Sequence, residues 1–147
     1  MSLKQWASNG WLKPHKTSAE EIGNLLAIVK RDVHDSQKTD ISADWRFGIA
    51  YNAALKLCTI LLYAEGYRPD KNLAHYRTLQ ALPLIIGPER KGDAQYLDTC
   101  RAKRNTVEYD YVGGATNADA EELIDFVKEL EKDVLEWLKK AHPSLLH

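Results

Sequence analysis

Ser42-Ala43-Asp44-Trp45-Arg46-Phe47-Gly48-Ile49-Ala50-Tyr51-Asn52-Ala53-Ala54-Leu55-Lys56-Leu57-Cys58-Thr59-Ile60-Leu61-Leu62-Tyr63-Ala64-Glu65-Gly66 is the stretch that decides the fold. Ser42 is suited to cap a helix, and Phe47, Ala50, Tyr51, Ala54, Leu57, Cys58, Leu61 and Leu62 then recur so densely that little polar surface remains. A helix apolar on most of its circumference belongs inside, so the segment at about 43 to 65 is predicted to be the most buried element of the chain. Gly66 stands where a C-terminal left-handed residue belongs, and Tyr67-Arg68-Pro69-Asp70 reads as a turn.

The sequence on either side supplies helices to cover it. Thr17 and Ser18, with Glu20 and Glu21 three residues on, give two overlapping capping boxes, and Ile22, Leu25, Leu26, Val29 and Val33 follow at helical spacing over about 18 to 37. A shorter helix is predicted over about 73 to 86, where Pro83 kinks it or ends it early. Gly87-Pro88 to Gly92 reads as a polar loop. A long helix then runs from about Asp93 to Tyr111, roughly 28 Å at 1.5 Å per residue, and Gly113-Gly114 stops it. Thr116 or Asn117 caps the last helix, whose Leu123, Val127, Leu130, Val134, Trp137 and Leu138 form a near-heptad stripe up to Pro143. Alternating strand patterns and internal repeats are absent. The expectation is an all-α, up-and-down helical bundle of four long helices plus one short helix, spanning 18–142. It is preceded by an arm, 1–17, whose Trp6, Trp11 and Leu12 are too apolar for a free tail and clamp onto the bundle or a partner chain.

A chain of 147 residues is about one domain. Its 20 basic and 21 acidic residues give a net charge of −1, so no general positive field favours nucleic acid and any such contact has to be local. Cys58 and Cys100 lie inside predicted helices without metal-ligand spacing and read as reduced core thiols, so neither a metal nor a cofactor is expected. The first 17 residues contain no apolar signal core, and no run is read as a membrane span. The predicted location is cytoplasmic.

Function turns on Cys100-Arg101-Ala102-Lys103-Arg104-Asn105-Thr106-Val107-Glu108-Tyr109-Asp110-Tyr111-Val112-Gly113-Gly114. This run resembles the signature of the HEPN domains (higher eukaryotes and prokaryotes nucleotide-binding). These are small helical bundles in which an Arg and a polar residue, usually Asn, Asp or His, are followed about a turn later by a His. The Arg and Asn are matched by Arg104 and Asn105; Tyr109 occupies the His position, and Tyr111 matches a tyrosine found two residues beyond it in the toxin-like branch. Asp44 to Leu57 resembles the small-residue helix of that family, and Gly66-Tyr67-Arg68-Pro69 with Ala74-His75-Tyr76 resembles the connection after it, so the likeness covers about 20 to 140.

The resemblance implies a metal-independent RNase toxin encoded with a small nucleotidyltransferase antitoxin, a nucleotide-binding module, or a non-catalytic adaptor. In the toxin branch the Arg would hold the scissile phosphate and the His would move protons across a homodimer of facing motif helices, and the tyrosine at Tyr111 would be the target of adenylylation. Arg104 suits the first role, since a guanidinium grips phosphate oxygens with two parallel hydrogen bonds, and Arg101 and Lys103 add charge. The plainer reading pairs Arg104 with Glu108 and Arg101 with Asp98 as surface ion pairs. Asn105 either orients the arginine, or touches a base or ribose, or is a polar helix residue and no more. Tyr109 is a poor replacement for His, because a phenol with a reference pKa of about 10 stays protonated and donates but hardly accepts. Weak or absent RNase activity is therefore expected. His75, at the start of the short helix, is the one histidine with a conceivable rescue role; the plainer reading makes it a solvent-exposed or capping residue. Tyr51, Tyr63 and Tyr96 are assigned to packing. Val107, Tyr109, Tyr111 and Val112 put apolar surface beside the motif and predict a homodimer interface there.

Overall fold

The computed structural model describes residues 1–109 and 112–146, and residues 107–109 by their backbone alone. The chain is all-α apart from one short ribbon. In order it forms α1 (Leu3–Ser8), β1 (Leu12–Pro14), α2 (Ala19–Ser36), α3 (Ala43–Ala64), β2 (Tyr67–Pro69), α4 (Ala74–Gln80), α5 (Leu82–Ile85), α6 (Lys91–Tyr109) and α7 (Asn117–Ala141). Single 3-10 turns lie at Pro88–Arg90 and Pro143–Leu145.

α3 is the axis. α2, α6 and α7 all pack on it, and Ala53, Ala54, Leu57, Ile60 and Leu61 are wholly buried. It is the one described helix with the length and apolarity to cross a membrane, a property the sequence reading does not credit, and most of its apolar window lies inside the bundle. The Ser18, Ser42 and Thr116 hydroxyls cap their helices, accepting from Glu21, Trp45 and Asp119 N–H at 3.1, 3.1 and 3.0 Å, but the two capping boxes expected at α2 do not close, since the Glu21 carboxylate accepts from the Thr17 hydroxyl at 2.7 Å instead. Leu123, Val127, Leu130, Val134 and Leu138 of α7 are buried as the stripe requires. α6 and α7 run antiparallel, since partners descend α7 as residues climb α6: Arg90 meets Asp133 at 2.6 Å, Tyr96 stacks near Phe126 at 5.0 Å, and Lys103 meets Asp119 at 3.1 Å. Beyond α6, the Asp44 carboxylate accepts the N–H groups of Gly113 (2.6 Å) and Ala115 (3.0 Å), which ties that connection to the first turn of α3.

Four further sequence expectations need correction. Strands exist: β1 and β2 pair antiparallel with Leu12 opposite Pro69 and Pro14 opposite Tyr67, so residues 67–69 are a strand rather than a turn. Three-residue strands are too short to show alternation. The arm carries a helix, α1, held by a capping box between Ser2 and Gln5. Trp6 and Leu12 are buried with Leu62 and Ala81, so the arm shares a satellite core with the bundle. The short helix is two pieces, α4 and α5, divided just before Pro83, which is tolerated in the first turn of the second piece. Finally, the loop expected over 87–92 is a 3-10 turn running straight into α6, with Gly92 inside the helix.

Candidate functional site

Arg101 and Arg104 are one turn apart on α6 and share a face, the one turned toward α3 and α4. The Arg104 guanidinium carbon lies 5.8 Å from the Tyr51 ring centroid of α3, and that of Arg101 lies 5.9 Å from the Tyr76 ring of α4. Both are cation–π distances. Arg101 Nε also donates to Asp98 at 2.8 Å, the ion pair anticipated from spacing. Asn105 is exposed and, through Oδ1, accepts a long 3.4 Å hydrogen bond from Arg104, which favours its orienting role.

His75 opens α4 beside this pair. Much of its surface faces solvent, yet partial desolvation, and after it the positive fields of Arg104, Lys56 and Arg101, hold its pKa below the usual imidazole value. The ring is therefore mostly neutral at pH 7 and able to accept a proton. Tyr51 lies beneath, 1% exposed, with a hydroxyl that has no hydrogen-bond partner among the described residues. Burial pushes its pKa far up, against the opposing fields of Arg101 and Arg104, so the phenol stays neutral. Tyr76, 38% exposed, offers a ring at the rim. The corner thus gathers Arg104, Arg101 with its Asp98 partner, a mostly neutral imidazole and one ring open to solvent, that of Tyr76, an arrangement able to hold a phosphate beside a stacking surface.

Lys103 does not belong to it. Its ammonium group points to α7, 3.1 Å from Asp119 and 3.4 Å from the Gly114 carbonyl. The side chain of Tyr109, and Tyr111, lie outside the described residues, as does the Glu108 side chain expected as a partner for Arg104. Tyr63 and Tyr96 pack against His15 and Phe126, as assigned. Cys58 and Cys100 are free and buried, and burial pushes their thiols up to about 12 and about 11, so neither is a thiolate. Among the described residues no group of three His, Cys, Asp or Glu side chains is placed to hold a metal. Sequence reasoning misses Lys56, although a lysine in the middle of an apolar helix is itself a signal, and it gives Tyr76 no role.

No family model matches the sequence, no curated protein matches it, and no solved structure matches the fold.

Proposed function

We propose that the chain is a HEPN-type bundle that binds RNA or a nucleotide phosphate at the corner formed by Arg101, Arg104, Lys56 and His75, with Asn105 orienting Arg104. The observation that carries this reading is the shared face of Arg101 and Arg104, turned toward α4 and α3 with their guanidinium groups 5.9 Å from the Tyr76 ring and 5.8 Å from the Tyr51 ring. In a chain of net charge −1, such local convergence is what phosphate recognition needs. The four long helices α2, α3, α6 and α7, with the short α4 and α5 between the second and third, fit the order of segments behind the resemblance. Ribonuclease activity is weak or absent, because the motif position five residues after Arg104 is Tyr109. A homodimer through the end of α6 is part of the proposal, supported by Val112 at 90% exposure. The toxin–antitoxin or defence context, with a nucleotidyltransferase partner, rests on the resemblance alone.

One observation favours a second reading, a working metal-independent ribonuclease. His75 is neutral at pH 7 and shares its surroundings with Arg104, so it is equipped to accept the proton of a ribose 2′-hydroxyl in place of the missing motif histidine. Anisotropy titration of a labelled single-stranded RNA, run beside a chelator-containing cleavage assay on wild type and Arg104→Ala, separates the readings. Binding abolished in a folded Arg104→Ala supports the site; cleavage abolished with it favours the enzyme. Wild-type protein that neither binds nor cleaves leaves a dimerisation or adaptor module.

A further inference from the structure

We propose that the cleft beneath the N-terminal arm is a binding pocket for a nucleoside monophosphate, separate from the Arg104 corner. The cleft has a volume of about 670 Å³, within the range of small-ligand sites. Its walls come from α1 and the turn after it, α4, α5 and α6, so it exists only because the arm folds back. Three aromatic rings line it, Trp6, Trp11 and Tyr76, together with Arg77 and Lys91 and no carboxylate. Trp6 and Trp11 meet edge to face at 6.0 Å, and the Arg77 guanidinium carbon stands 4.2 Å from the Trp11 ring centroid, which fixes that cation at the wall. Neither Arg77 nor Lys91 has an ion-pair partner among the described residues.

Charge and surface together select the ligand. A bare anion would use the cations and leave the exposed Tyr76 ring idle, and a purely apolar guest would leave Arg77 and Lys91 unused. A purine or pyrimidine monophosphate satisfies both, because the base stacks on aromatic side chains and the phosphate takes charge-assisted hydrogen bonds from Arg and Lys. The Gln95 amide, also in the wall, supplies a donor and an acceptor for a base edge. Tyr76 borders both this cleft and the Arg101 side chain, so the two sites adjoin.

Calorimetric titration of the full chain with AMP, adenosine and inorganic phosphate tests the proposal. AMP should bind saturably, with adenosine and phosphate each at least tenfold weaker. Arg77→Gln with Lys91→Gln, both at the cleft wall, should weaken at least tenfold the AMP binding that is read at Trp6 and Trp11. In NMR the indole N–H signals of Trp6 and Trp11 should shift on adding AMP while those of Trp45 and Trp137 stay. Absence of AMP binding, shifts at Trp45 or Trp137 alone, or equal affinity in the folded double variant would overturn the assignment. Loss in Arg104→Ala alone would move the nucleotide to the corner and overturn it as well.

Discussion

One carboxylate oxygen of Asp119 receives both the Lys103 ammonium at 3.1 Å and the Thr116 N–H at 3.0 Å, so the motif helix α6 is joined to the cap of α7 through a single atom. The consequence is a division of labour along one helix. Arg101 and Arg104, three residues apart, face α3 and α4. Lys103 stands most of the way round from Arg101 and is committed to structure.

Asp119→Ala should therefore lower stability by about 1 kcal/mol at neutral pH, the order of a net intramolecular hydrogen bond, because it removes the reciprocal half of the capping box whose N-cap is Thr116, with the exposed lysine pair adding little. The Thr116 backbone N–H, followed by Lys103, holds the Asp119 pKa below its ordinary 3.8. A depressed folded-state pKa contributes stability above the unfolded value and loses it as pH falls through the folded one. Urea midpoints of wild type and variant should differ at pH 6 and converge well below pH 3.8.

How far the sequence can be read depends on range. Ser18, Ser42 and Thr116 act within three residues of themselves, and their caps are legible for that reason. The capping box at Ser2 and Gln5 is equally local but is overshadowed, because Trp6, Trp11 and Gly10 draw the segment toward an irregular arm. β1 and β2 are not legible, since their partners are more than 50 residues apart and neither strand is long enough to set a pattern. The same limit applies to the site. Arg104 and Asn105 are visible as a motif, but that Lys103 turns to α7 while Lys56 and His75 join Arg104 is decided by the packing of α6 on α3 and α4.

Leu12→Ala tests the clasp between arm and bundle. Leu12 is 3% exposed and packs with Trp6, Leu62 and Ala81, so truncation should cost about 2 to 5 kcal/mol. Chemical denaturation would measure it, and amide exchange of β1 and β2 should accelerate before that of α3.

RNA binding at the proposed corner should carry a pH signature from His75. With its pKa held below the usual imidazole value, affinity should change little near pH 8 and rise as pH falls and the imidazole gains charge. His75→Gln should abolish the rise without lowering affinity at pH 7.5. Anisotropy titrations across this range would show it.

Tyr109→His restores a group with a pKa near 6.5 at the motif position and should raise RNA cleavage by about 10²-fold or more. The measurement is the single-turnover cleavage rate in chelator, with circular dichroism to establish that the variant is folded.

Whether Arg104 meets phosphate while Lys103 serves structure is decided by the salt dependence of RNA binding in Arg104→Gln and Lys103→Gln side by side. Removing one cation that touches phosphate reduces the log–log slope by about one. Arg104→Gln should lose affinity and about one unit of slope at nearly unchanged thermal stability, while Lys103→Gln should keep the wild-type slope. Equal reductions of slope in the two variants, or a wild-type slope in a folded Arg104→Gln, would contradict this assignment of the two residues.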